Sequence, residues 1–220
     1  MTQVFHPASN SIAKAMVLGV ALGLLGLTVL VIIFIRSPYT RMVGVAPEQP
    51  VPFSHEHHVG GLGLDCRFCH LSVEESSFAG IPATDICMGC HSQIWTDSPA
   101  LAPVVASYEN DTHMVWNRVN NLPDYTFFNH SIHINKAIGC ETCHGRVDQM
   151  PLSRKVSTLA MEWCLDCHRN RADYVRPREE VFTMGWEPSE DWELKRPLLV
   201  EQYNVDVEQF EITDCSICHR

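Results

Sequence analysis

Uncharged residues run without a break from Ala15 to Ile35, AMVLGVALGLLGLTVLVIIFI, a stretch of 21. As a helix rising about 1.5 Å per residue it reaches roughly 32 Å, the thickness of a membrane's hydrocarbon core. A core helix is rarely apolar all round over such a length. A cleaved leader has a shorter apolar region that ends at small residues, whereas this one ends Phe34-Ile35-Arg36-Ser37-Pro38. The pattern predicts an uncleaved transmembrane signal anchor over 15–35. A cytoplasmic amino terminus, residues 1–14, precedes it and a linker, residues 36–52, follows. Within the linker, Ala46-Pro47-Glu48-Gln49-Pro50-Val51-Pro52 reads as an extended, semi-rigid spacer that lifts the following domain off the membrane.

From residue 53 to 220 regular structure should be sparse. Short helical turns are expected at a recurring cysteine motif, with long irregular connections such as 97–110 and 176–198, and little or no sheet. The recurring motif is Cys-x-x-Cys-His, and its five copies use every cysteine: Cys66-Cys69-His70, Cys87-Cys90-His91, Cys140-Cys143-His144, Cys164-Cys167-His168 and Cys215-Cys218-His219. Two thiols a turn apart clamp one edge of a haem through thioether bonds, and the adjacent imidazole becomes the proximal iron ligand. Zinc is the competing chemistry, because 17 residues separate Cys69 from Cys87 and 20 separate Cys143 from Cys164. Ribbons, however, use such motifs in pairs, and they have no need of a histidine after each second cysteine. Five covalently bound haems c on one chain imply electron transfer, with the macrocycles serving as the interior of the domain.

The chain also contains a duplication. Phe53-Ser54-His55-Glu56-His57-His58 precedes the motif at Cys66, and Phe128-Asn129-His130-Ser131-Ile132-His133 precedes the motif at Cys140. Each unit is followed by one further motif, which marks two dihaem modules near 53–100 and 126–175, with a fifth motif at 215–219. Low-spin haem needs a second axial donor, and two histidines three apart on one helical turn reach two different irons. The distal candidates are therefore His55, His58, His130 and His133. His55 and His130 are assigned to the motif immediately following and His58 and His133 to another. His57 falls opposite Ile132 and reads as structural or exposed, and His6 lies across the membrane. For the fifth distal position Met150 ranks above His113, Met184 and Met161.

Charge narrows the partners. Residues 1–45 carry Lys14, Arg36 and Arg41 and no acid, so the other 175 residues hold all 26 carboxylates against 13 basic side chains, a net charge of −13. Such a surface argues against nucleic acid, whose binding depends on neutralising phosphates, and suits a basic docking partner. The flanking charges give a weak or contrary orientation signal for the anchor. Because haem is attached to such chains outside the cytoplasm, the domain is expected on the periplasmic side of the cytoplasmic membrane, in a single-pass protein. Between Glu179 and Asp214 there are 11 carboxylates, and Trp186 and Trp192 among them make this segment a candidate partner surface.

The paired Phe-x-His-x-x-His units resemble the class III (c3/c7) multihaem cytochromes. The run Asn121 to Arg169, NLPDYTFFNHSIHINKAIGCETCHGRVDQMPLSRKVSTLAMEWCLDCHR, with five motifs and one amino-terminal span, resembles the pentahaem cytochrome c component of bacterial alternative complex III. That resemblance implies a quinol oxidoreductase complex with an iron–sulfur subunit, polytopic membrane subunits that hold the quinol site, and a monohaem cytochrome c. The chain itself would not be the enzyme; it would carry electrons toward the monohaem cytochrome, a copper protein or an oxidase. Relatives often carry histidine where this chain has Asn120. Two alternatives compete: a membrane-anchored quinol dehydrogenase of the tetrahaem type that feeds a periplasmic reductase, and a multihaem reductase of a small oxyanion. The second needs an iron with an open position, and all five motifs here end in histidine.

Overall fold

The computed structural model describes residues 5–205 and 210–219. Two compact units emerge, Met1–Val43 and Gly44–Arg220. The first is built on one helix, α1 (Ser9–Arg36), which begins six residues before the apolar run. None of its residues is buried against other parts of the protein, and by length and composition it fits a single-pass anchor. Pro38 cannot continue the helical ladder. The last carbonyls are taken up by hydroxyls, Ser37 Oγ donating to Phe34 O at 2.7 Å and Thr40 Oγ1 to Ile35 O at 2.8 Å.

The second unit is helical and irregular, with no sheet among the described residues beyond one isolated bridge between Ile138 and Val175. Its helices are α2 (Cys66–Cys69), α3 (Thr84–His91), α4 (Ala102–Glu109), α5 (His130–Asn135), α6 (Cys140–His144), α7 (Met161–Arg169), α8 (Trp192–Gln202) and α9 (Cys215–Cys218). Each cysteine motif thus has its own helix or helical turn. Among the described residues the buried apolar side chains gather in two small clusters, each against a cysteine of the recurring motif. Val73, Ile134, Ala137, Ile138, Val175 and Val181 pack with Cys140, and Val51, Leu101 and Val104 pack with Cys87.

Two expectations change. The connections at 97–110 and 176–198 are not irregular throughout: the first contains α4 and the second leads into α8. Pro103 lies in the first turn of α4, where its missing donor costs nothing, and Val104 is buried. Ser107 joins that helix to α3 through a 2.8 Å hydroxyl contact with Thr84. Pro197 lies inside α8, whose exposed face is laced by Lys195–Asp191 and Arg196–Glu193 ion pairs.

The proline-rich spacer is likewise no free strut. Gly44 N–H donates to Lys155 O at 2.8 Å. Gln49 and Asn117 exchange two hydrogen bonds, of 2.8 and 3.0 Å, and Val51 is buried. An extended segment leaves its backbone groups unpaired, and here the Gly44 N–H and the Glu48 carbonyl find partners in the domain. Trp186 and Trp192 pack on each other, the first half-buried and the second buried. Their rings meet edge to face at 5.0 Å, Trp192 is buried, and the Arg176 guanidinium covers the Trp186 ring at 5.0 Å. Of the acidic segment, Asp206 and Glu208 lie outside the described residues.

Candidate haem-binding sites

The duplicated turns carry the same local geometry. In the first, His55 caps a π-helical turn, Glu56–Gly61; in the second, His130 opens α5. Phe53 stacks on His58 with centroids 4.4 Å apart and meets His55 edge-on at 4.9 Å. Phe128 repeats this, at 4.4 Å from His133 and 4.8 Å from His130. One phenyl ring thus orients both imidazoles of its turn. That repeated phenylalanine was visible in the sequence, but its role was not.

Across from these turns stand histidines of the cysteine motifs. His58 faces His91 at 6.1 Å between ring centroids, His130 faces His144 at 6.4 Å with planes 5° apart, and His133 faces His168 at 6.2 Å. A metal–imidazole bond of about 2 Å and about 1.2 Å of ring on each side place two axial imidazoles about 6.4 Å apart. His55 is the neighbour of His70: its pKa is pushed down to about 4, by burial first and then by repulsion from His70 and His58. His144 is also held at about 4, by burial and then by His130, His70 and His55. Burial and His168 push His133 down, although its bond to Asn129 works the other way. Neutral imidazoles are the form that binds metal.

All nine of these ring systems use Nδ1 for something else. Main-chain carbonyls hold His58 (Ser54, 2.8 Å), His70 (Gly80, 2.6 Å), His91 (Ile94, 3.2 Å), His130 (Ser77, 2.9 Å) and His133 (Asn129, 2.7 Å). Carbonyls also hold His168 (Ile212, 3.1 Å) and His219 (Tyr125, 3.1 Å), while side chains hold His55 (Ser153 Oγ, 2.9 Å) and His144 (Asn120, 3.0 Å). A proton kept on Nδ1 leaves the Nε2 lone pair free, the usual arrangement for a metal-ligating histidine. Sequence reasoning could not find these partners, because most are backbone carbonyls.

The thiols fall into a row. Cys66 shares a hydrogen bond with Cys140, and that contact, with burial, pushes Cys140 up. Cys69 feels Cys87 and Cys90; Cys143, raised to about 12 chiefly by burial, feels Cys167 and Cys164; Cys164 feels Cys218. The motifs therefore neighbour one another in the order second, first, third, fourth, fifth. The link between the fourth and fifth is also carried by the short turn Phe210–Thr213, against which α7 and α9 both lie.

The donors fit haem better than a bare ion. Among the described residues no three His, Cys, Asp or Glu side chains converge on one point, as a zinc site requires. Among the described residues two buried guanidinium nitrogens lack partners, Arg171 Nη2 and Arg176 Nε. Arg171 donates its other terminal nitrogen to His168 O, and Arg176 pairs with Glu141 inside the third motif, so carboxylates of a bound haem are within the character of both places. Met150 is buried, and its carbonyl accepts from Glu56 N at 3.1 Å, beside the first of the duplicated turns. Across from His219 lies the phenol ring of Tyr125 at 5.8 Å. His113 is exposed, and His57 is exposed and stacks on Trp95.

No protein-family model matches the chain. Over 146 residues, 66% of its length, the chain is 33% identical to the multiheme cytochrome c subunit of the menaquinone reductase of Nitratidesulfovibrio vulgaris, and the match spans 63% of that relative. The similarity supports a multihaem c-type cytochrome, and the ten cysteines suit covalently bound haem c.

Proposed function

We propose that this chain is a membrane-anchored pentahaem cytochrome that conducts electrons within a quinone-linked oxidoreductase complex. The observation that carries the reading is the set of facing imidazoles, 6.1–6.4 Å apart, with every Nδ1 already engaged. In this reading each motif attaches one haem through its two cysteines, and His70, His91, His144, His168 and His219 are proximal. His55, His58, His130 and His133 lie opposite His70, His91, His144 and His168. Haem, once bound, supplies a one-electron couple. The protein's part is to hold each imidazole through Nδ1, to disfavour the charged form of His55, His133 and His144 by burial, and to set the centres in sequence. Neighbouring cysteines suggest a continuous row whose ends are the second and fifth motifs, suited to entry at one end and exit at the other.

The finer reading is a role like that of the pentahaem component of alternative complex III. Electrons would arrive from an iron–sulfur and quinol-oxidising part and leave toward a monohaem cytochrome c, a copper protein or an oxidase, on the periplasmic side. The name of the similar Nitratidesulfovibrio protein favours a second direction, in which the row feeds a quinone. Purification of the intact complex separates the two. Reduction of all five haems by a menaquinol analogue, with iron–sulfur centres copurifying, supports the first. Haems that quinol leaves oxidised, but that an added menaquinone reoxidises once dithionite has reduced them, would support the second. A pyridine haemochrome count other than five per chain would overturn the common premise.

A further inference from the structure

Four of the five proximal histidines give Nδ1 to a main-chain carbonyl, but His144 does not. Its Nδ1 lies 3.0 Å from the side-chain amide of Asn120. The amide stands there with Nδ2 toward the ring. If Nε2 binds iron, Nδ1 carries the proton, so a half-turn of the amide that presents Oδ1 makes the bond an N–H···O one. The segment that carries Asn120 is tied on both sides. Asn117 is bonded to Gln49 and to the Glu48 carbonyl, and Asn121 accepts from the buried Lys155 ammonium at 2.8 Å. The amide, though exposed, is therefore held against the ring by a tethered segment.

A hydrogen bond at Nδ1 sets how strongly an imidazole donates to its metal, and through that the reduction potential. A backbone carbonyl fixes this quantity whatever the sequence; a side chain leaves it adjustable by substitution. The site also lies centrally, since the third motif neighbours both the first and the fourth. Resting on the ligand pairs proposed above, we infer that Asn120 is a positioning residue that sets the donor strength of His144 and so tunes the haem held by Cys140 and Cys143.

The test is a spectroscopic redox titration of the full-length protein with its five haems. His130→Met first identifies the relevant component, because replacing the facing imidazole by a thioether raises that potential alone. Asn120→Asp, a stronger acceptor, is then expected to lower the same component, and Asn120→Leu, which removes the acceptor, to raise it, with the other four unmoved. Asn120→Gln should restore a value between those two. The inference is overturned if neither variant moves that component while five haems are retained. It is equally overturned if both lose a haem that His130→Met retains, for then Asn120 is structural. Should His130→Met disturb no haem at all, the ligand pairing itself fails, an outcome distinct from failure at Asn120.

Discussion

At the scale of single residues, the repeated turn gives each imidazole its own target. His133 faces His168 and not His144, its nearer neighbour in the chain. His133→Ala should therefore leave the haem of Cys140 and Cys143 low-spin and convert the haem of Cys164 and Cys167 to high-spin, as read by electron paramagnetic resonance. The reverse pattern would refute the pairing. The fifth distal donor has its own signature. If Met150 supplies it, the oxidised protein, freed of any monohaem partner, shows the thioether-to-iron charge-transfer band in the near infrared, and Met150→Leu abolishes that band. Its absence from the native protein transfers the role to His113. The residue motifs were legible because attachment is covalent and local: two cysteines and a histidine must be adjacent in sequence to clamp one macrocycle edge. The acceptors at Nδ1 were not, since Ser153 lies 98 residues from His55 and Ser77 lies 53 from His130.

Between elements, the third motif is anchored by a buried ion pair. Arg176 reaches Glu141 at 3.2 Å with both side chains largely enclosed, and its guanidinium covers Trp186. The second carboxylate oxygen of Glu141 accepts from Gly185 N at 2.6 Å. Removing one partner of such a pair strands a buried charge, which costs about 3–5 kcal/mol, whereas replacing both by apolar groups can be near neutral. Glu141→Ala should thus lower unfolding stability by about 3 kcal/mol, and Glu141→Ala combined with Arg176→Met should lose clearly less. Equal losses in denaturant titration would show that Arg176 is held by other contacts. Gly139 matters to the same arrangement, because a Cβ there would collide with the Arg176 guanidinium. The acidic composition of 179–214 was legible in the sequence. The packing of its tryptophans was not, because it involves a cation 10 residues or more away in the chain.

For the whole molecule, the division after Val43 separates the apolar helix from the haem-motif unit. Replacing residues 1–43 by a cleaved export signal should release a water-soluble protein that still carries five haems and the same low-spin spectrum. Loss of haem, or continued membrane association without partners, would show that the two units depend on each other. The cut belongs before Gly44 and not at residue 53, because Gly44, Gln49 and Val51 are already bonded or buried within the second unit.

The sequence alone determined the membrane-length helix, the five Cys-x-x-Cys-His motifs and the duplicated Phe-x-His-x-x-His register, since each is written in spacings of a few residues. Tertiary structure decided which imidazole faces which, that Cys66 of the first motif lies against Cys140 of the third, and that Asn120 reaches His144. Those relations join residues tens of positions apart through irregular chain. No periodicity encodes them, so only the path of the folded backbone can bring them together.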